Sequence, residues 1–147
     1  MDLMEMKQQE IAEEFAMMGD GFGQYAYLVE LSAELPPMDE EKRTPEKAVK
    51  GCQSRVWLET CLKEGRFFFD GDSDTLILRG ILLLLQSVFN GQPPEEVAKA
   101  KIWFLDQTEI PATFGPDRQK GIGHIIRTLQ EQAGSLAAGE NGKDCGT

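Results

Sequence analysis

The side chain in this sequence best placed to do chemistry is a thiol. In Lys50-Gly51-Cys52-Gln53-Ser54-Arg55-Val56-Trp57 a cysteine follows a glycine and stands just ahead of an alternating, strand-like stretch. Glycine turns tightly or takes φ > 0 at no steric cost, so this spacing predicts Cys52 at the tip of a loop between extended segments. A cysteine presented in that way suits sulfur chemistry better than core packing, because a thiolate both attacks a sulfur atom and departs from one. Gln53 and Ser54 carry polar side chains able to hydrogen-bond the loop into shape, and serve equally as ordinary turn residues.

The other soft side chains are Cys61, Cys145 and the single histidine, His124. They form no CxxC pair and no tetrahedral ligand spacing, so no metal site is expected. The N-terminus, Met1-Asp2-Leu3-Met4-Glu5, lacks the basic start and apolar core of an export signal. An odd number of cysteines without such a signal predicts free thiols in a reducing compartment, the cytoplasm. Cys61 reads as a structural strand residue, with a resolving thiol as the minority alternative, and Cys145 as a tail thiol without function. His124 falls on the polar face of the last helix and reads as solvated surface rather than a catalytic base.

The chain has 147 residues, 41% hydrophobic and 27% charged, which fits one folded domain with one core. Its net charge of −10 argues against nucleic acid, whose phosphates need clustered Lys and Arg, and fits a partner with a basic surface. Simple solubility explains the charge as well. The most apolar run, Leu76 to Phe89, is shorter than a bilayer crossing and contains Arg79 and Gln86, so it predicts a buried helix and no membrane span.

The elements that must position Cys52 follow from periodicity. Met4, Ile11, Phe15 and Met18 make a helical stripe over 3–18, broken by Gly19-Asp20-Gly21. A second helix, about 22–35, presents Tyr25, Leu28, Ser32 and Leu35 and ends at Pro36-Pro37. A charged linker runs from Met38 to Pro45, and Ala48-Val49-Lys50 leads extended into the Cys52 loop. Residues 55–62 alternate as a half-buried strand, Glu64-Gly65 turns, and Arg66-Phe67-Phe68-Phe69 returns as a hairpin. Asp70-Gly71-Asp72-Ser73-Asp74 is expected to stop the sheet, with Ser73 or Asp74 capping the apolar central helix over about 74–90. Asn90-Gly91 closes that helix, Pro93-Pro94-Glu95-Glu96 opens a short one, and residues 102–108 add a further turn or two. Gly115-Pro116-Asp117 starts the last helix, with Ile122, Ile125, Ile126 and Leu129 inward and Lys120, His124, Arg127 and Glu131 outward. One domain over 1–133 is expected, with 134–147 a flexible tail.

Three blocks in this order resemble the SufE-like sulfur acceptors of iron–sulfur cluster assembly. They are Gly51-Cys52-Gln53-Ser54-Arg55-Val56-Trp57, then Gly71-Asp72-Ser73-Asp74 followed by Arg79-Gly80, then Pro116-Asp117-Arg118-Gln119-Lys120-Gly121. The match runs from about Tyr25 to Ala133. Arg55, Asp117 and the glycine-rich tail with Cys145 depart from it. The resemblance implies an α+β fold, a small antiparallel sheet of about three strands packed with helices, SufE/IscU-like. It implies that Cys52 takes a persulfide sulfur from a SufS-type cysteine desulfurase, stimulates that enzyme, and passes the sulfur to a SufBCD-type scaffold. Pyridoxal phosphate would belong to the desulfurase, leaving this chain no cofactor and no independent enzymatic turnover. Gly51, Gln53 and Ser54 would shape the loop, and Asp74 and Arg118 would tie it to the helix termini. A helix cap for Asp74 and a surface ion pair for Arg118 are the alternatives. Two other readings stand beside the carrier. An IscU-like cluster scaffold needs several converging thiolates or carboxylates. A non-catalytic adaptor would use Cys52 only as a small buried residue.

Overall fold

The structure, a computed structural model, describes residues 2–52, 54–139 and 144–145. Helix α1 spans Leu3–Met17, with the Asp2 side chain accepting from the Glu5 N–H at its start. It buries Met4, Gln8, Ile11 and Phe15 at steps of three and four residues. Gln8 lies in that stripe because it is satisfied: its amide donates to the Lys101 carbonyl and accepts from the Trp103 and Phe104 N–H groups. Helix α2, Gly21–Ser32, is capped by Asp20 and buries Gln24, Leu28 and Ser32. It stops short of the expected 35, and Tyr25 is 41% exposed rather than inward.

The hairpin is β1, Val56–Lys63, paired antiparallel with β2, Arg66–Ser73, in a register running from Val56↔Ser73 to Lys63↔Arg66. Glu64 and Gly65 both take positive φ, the turn that matches the twist of a two-residue hairpin. The sheet has two strands among the described residues rather than about three. Ala48 meets Trp57 in a single bridge, as Asp144 does Leu62 and Gln92 does Phe67. The outer side of β2 is met by residues 86–92: Gly91 N–H and Gln92 C=O bond Phe67, while the Asn90 and Gln86 side chains bond Phe69 N–H and C=O.

Strand β2 does not stop at Asp70. It continues through Asp72 because that carboxylate is neutralised inside the fold rather than solvated. Asp72 is fully buried, ion-paired to Arg79 and Arg43, and accepts from the Met38 and Ser73 N–H groups. Arg79 also donates to the Ser32 carbonyl at the end of α2 and to the Leu35 carbonyl just beyond it. The charged linker expected after Pro37 is thereby fastened, with Met38 buried.

Helix α3, Leu76–Phe89, is the buried centre, with Ile77, Ile81, Leu82, Leu85, Val88 and Phe89 all inward. Neither Ser73 nor Asp74 caps it. Thr75 occupies the N-cap position without a side-chain cap bond, and Ser73 and Asp74 are engaged with Arg55 instead. Gly80 lets α2 approach, since a Cβ there would stand 2.5 Å from the Leu28 carbonyl oxygen. Helix α4, Pro94–Lys99, packs against α5, Pro116–Ala137, with short 3-10 turns at Phe104–Gln107 and Pro111–Thr113 between them.

The expected helix end at Ala133 and the idle Cys145 are corrected. Helix α5 runs past Ala133 to Ala137 with Leu136 buried, and Cys145 forms a disulfide with Cys61 across a sequence separation of 84. The Cys145 N–H also donates to the Leu62 carbonyl at 2.7 Å. Cys61 and Cys145 are therefore not free thiols, and Cys145 is not idle. Asp144 and Cys145 thus lie against β1, a placement that no local pattern announces.

Two outcomes are expected. Thiol titration in denaturant should find one free thiol per chain before reduction and three after, and Cys145→Ala should lower unfolding free energy by up to about 4.5 kcal/mol. Three thiols before reduction would remove the disulfide. Burial pushes the Asp72 carboxyl up, but its N–H donors and Arg79 outweigh that and hold it below the usual value. A carboxyl so lowered lends stability above its unfolded value, about pH 4, that is lost as pH falls through the folded one. Urea titrations across the acid range should show that loss in the native chain. Asp72→Asn should show it flattened, at a cost of about 3–5 kcal/mol.

Candidate functional site

Cys52 lies outside helix and strand, on a loop whose two sides meet at a neck. The Val49 N–H donates to the Val56 carbonyl at 2.8 Å, beside the Ala48↔Trp57 bridge. The second sequence block holds the outgoing side. Arg55 N–H donates to Asp74 Oδ1 at 3.1 Å, and Asp74 N–H returns a bond to the Arg55 carbonyl at 3.2 Å. Ser73 Oγ donates to the same carbonyl at 2.7 Å. Trp57 is buried at the base, with the Arg43 guanidinium 5.3 Å over its ring. Because Arg43 also pairs with Asp72, the loop's base is built on the buried ion pair.

The tip rests on α5. Gly51 has φ +88°, a left-handed conformation that costs other residues strain. Cys52 is half-buried, and its thiol donates to the Gly121 carbonyl at 3.4 Å. Gly121 has no side chain in the way: a Cβ there would stand 3.4 Å from Cys52 Sγ. One helical turn further on, the His124 ring lies 2.8–2.9 Å from where a Cβ on Gly51 would be. The first and third sequence blocks thus meet at Cys52 and Gly121.

The remaining candidates are placed as follows. Gln53 lies outside the described residues. Ser54 is half-buried on the loop, and Asp74 is exposed but bonded to Arg55. Arg118, on the first turn of α5, has its guanidinium 5.9 Å over the Phe114 ring of the preceding segment. Among the described residues, no group of three or more His, Cys, Asp or Glu side chains gathers as a metal site. Sequence reasoning missed Gly121 as the seat of the thiol, and it read His124 as solvated although it is half-buried against the loop. Their i, i+3 spacing puts them on one face of α5. In the sequence the available signal was a glycine and an imidazole one turn apart on a helix whose other outward positions carry charge.

Burial pushes the Cys52 thiol above its ordinary value, because it disfavours the thiolate. A raised value favours the closed site at neutral pH, and that preference is lost as pH rises through it. At rest the thiol is therefore protonated and a poor nucleophile. The rate of Cys52 alkylation should rise with a midpoint above that of an unstructured peptide cysteine. A midpoint at or below the peptide's would remove the shelter.

Comparison with known proteins gives the chain's family and fold. The family model described as "SufE: Fe-S metabolism associated domain" matches residues 9–133. An uncharacterized SufE-like protein of Rhizobium etli is 34% identical over 139 residues, covering 88% of this chain and 90% of its own. The solution structure of a hypothetical protein from Thermus thermophilus superposes with a TM-score of 0.72 at 20% identity, over 90% of this chain and 96% of that one. That structure supports the α+β fold. On the family match and the identity together, the chain belongs to the SufE family and takes part in iron–sulfur metabolism.

Proposed function

We propose that this protein is a sulfur acceptor and carrier, loaded at Cys52 by a pyridoxal-phosphate-dependent cysteine desulfurase. The observation that supports it most is the setting of Cys52, a free thiol outside regular structure, on a loop fastened at its neck and touching α5 at its tip. In the loading step the Cys52 thiolate attacks the outer sulfur of the desulfurase's persulfide. A new S–S bond forms on Cys52, the old S–S bond breaks, and the desulfurase cysteine leaves as a thiolate, which takes up the proton. No net oxidation occurs. The same exchange, run onto an acceptor thiol, delivers the sulfur.

The loop's geometry suits such traffic. Sheltering the thiol keeps it protonated and protects a bound sulfane sulfur from reductant and oxidant. Reaction needs the tip to swing off α5 while the Val49–Val56 neck and the Asp74–Arg55 pair hold its ends. We assign the desulfurase to the SufS type and the recipient to a SufBCD-type scaffold, acting in the cytoplasm. The chain's net charge of −10 suits a desulfurase that presents a basic docking face. Among the described residues no helix is long and apolar enough to cross a membrane.

The test mixes this chain with the desulfurase and sulfur-labelled cysteine and reads intact mass. A reductant-labile adduct of about one sulfur mass on Cys52, absent from Cys52→Ser, is expected. An active desulfurase that leaves Cys52 unlabelled would sink the carrier reading.

A further inference from the structure

We propose that His124 is a positioning residue, a latch that holds the Cys52 loop closed against α5. The ring occupies the space over Gly51 that a side chain would fill, with Cδ2 and Nε2 at 2.8 and 2.9 Å from the Cβ position. Gly51 is therefore needed twice, for its φ of +88° and for the room its missing side chain leaves to the imidazole. Three residues before His124 on the same face, Gly121 receives the Cys52 thiol. Two neighbouring loop residues are thus seated on two positions one turn apart, one by a weak thiol hydrogen bond and the other by packing against a ring.

Among the described residues the loop's other fastenings lie at its ends, at Val49–Val56 and at Arg55 with Ser73 and Asp74, and they stay in place when the tip lifts. Among the described residues, opening the tip costs the Cys52–Gly121 bond and the Gly51–His124 contact. The thiol bond is one any cysteine in this place would make through the Gly121 backbone. The imidazole contact is the adjustable one, and it sets the fraction of molecules that present the thiol. This deepens the sulfur-carrier reading of the same site. Its readout is the thiol's accessibility in the chain alone, so it stands or falls separately from sulfur transfer.

The experiment measures second-order alkylation of Cys52 by iodoacetamide in the full chain, without desulfurase or reductant, so that the Cys61–Cys145 disulfide stays closed and one thiol is read. His124→Ala should react roughly fivefold faster than wild type and His124→Phe, which keeps a ring over Gly51, within about twofold. Gly51→Ala should also be fast, and the Gly51→Ala/His124→Ala pair should react no faster than the quicker single variant, since both remove one contact. A wild-type rate for His124→Ala, a His124→Phe as fast as His124→Ala, or a double variant whose effects multiply would each overturn the assignment.

Discussion

A carboxylate with no access to water, Asp72, sits where the hairpin, the central helix and the linker meet. Removing such a charge from water costs several kcal/mol, and the fold offsets it with two arginines and two backbone N–H groups. The compensation dictates geometry. Arg79 must point from the first turns of α3 across to the end of α2, and Arg43 must come in from the linker. Asp72 faces Trp57 across the ladder, so a one-residue slip would turn the carboxylate to the other face and strand both arginines. With that register set, Ser73 and Asp74 reach Arg55, and the base of the Cys52 loop has one position.

Rigid below and light above is the arrangement that follows. The base of the loop is held by backbone pairing, a buried ion pair and a cation over Trp57. The tip is held by a sulfur–carbonyl hydrogen bond and the flank of an imidazole. The proposed sulfur carrier needs a defined place for its thiol to return to and little resistance to leaving it. Here these two demands fall on different residues, separated along the same short stretch of chain.

Much of this was legible in the sequence where a local rule decided it. The loop tip at Gly51-Cys52 and the Glu64-Gly65 turn follow from glycine's backbone freedom, and the central helix from an apolar run too long for a strand. Errors arose where a distant partner reversed a local preference. Asp72 reads as a strand terminator until Arg43 and Arg79 are brought to it. Ser73 and Asp74 read as caps, yet Arg55, across the ladder, offers them better-placed groups. Cys61 and Cys145 read as separate thiols because nothing local brings a residue 84 positions away back to β1. The relation of His124 to Gly51 is likewise tertiary, and helical periodicity alone assigns that ring to solvent.

A ribbon of only two strands has two rims, and each invites the backbone of a foreign chain. On β2 the groups that would receive it are already taken, at Phe67 by Gly91 and Gln92 and at Phe69 by the amide side chains of Gln86 and Asn90. On β1 the Val56 and Leu62 carbonyls are held by Val49 and by Cys145. The disulfide thus does more than shorten the unfolded chain: it keeps Asp144 and Cys145 on the Leu62 end of β1, occupying backbone groups of a kind on which strand addition begins.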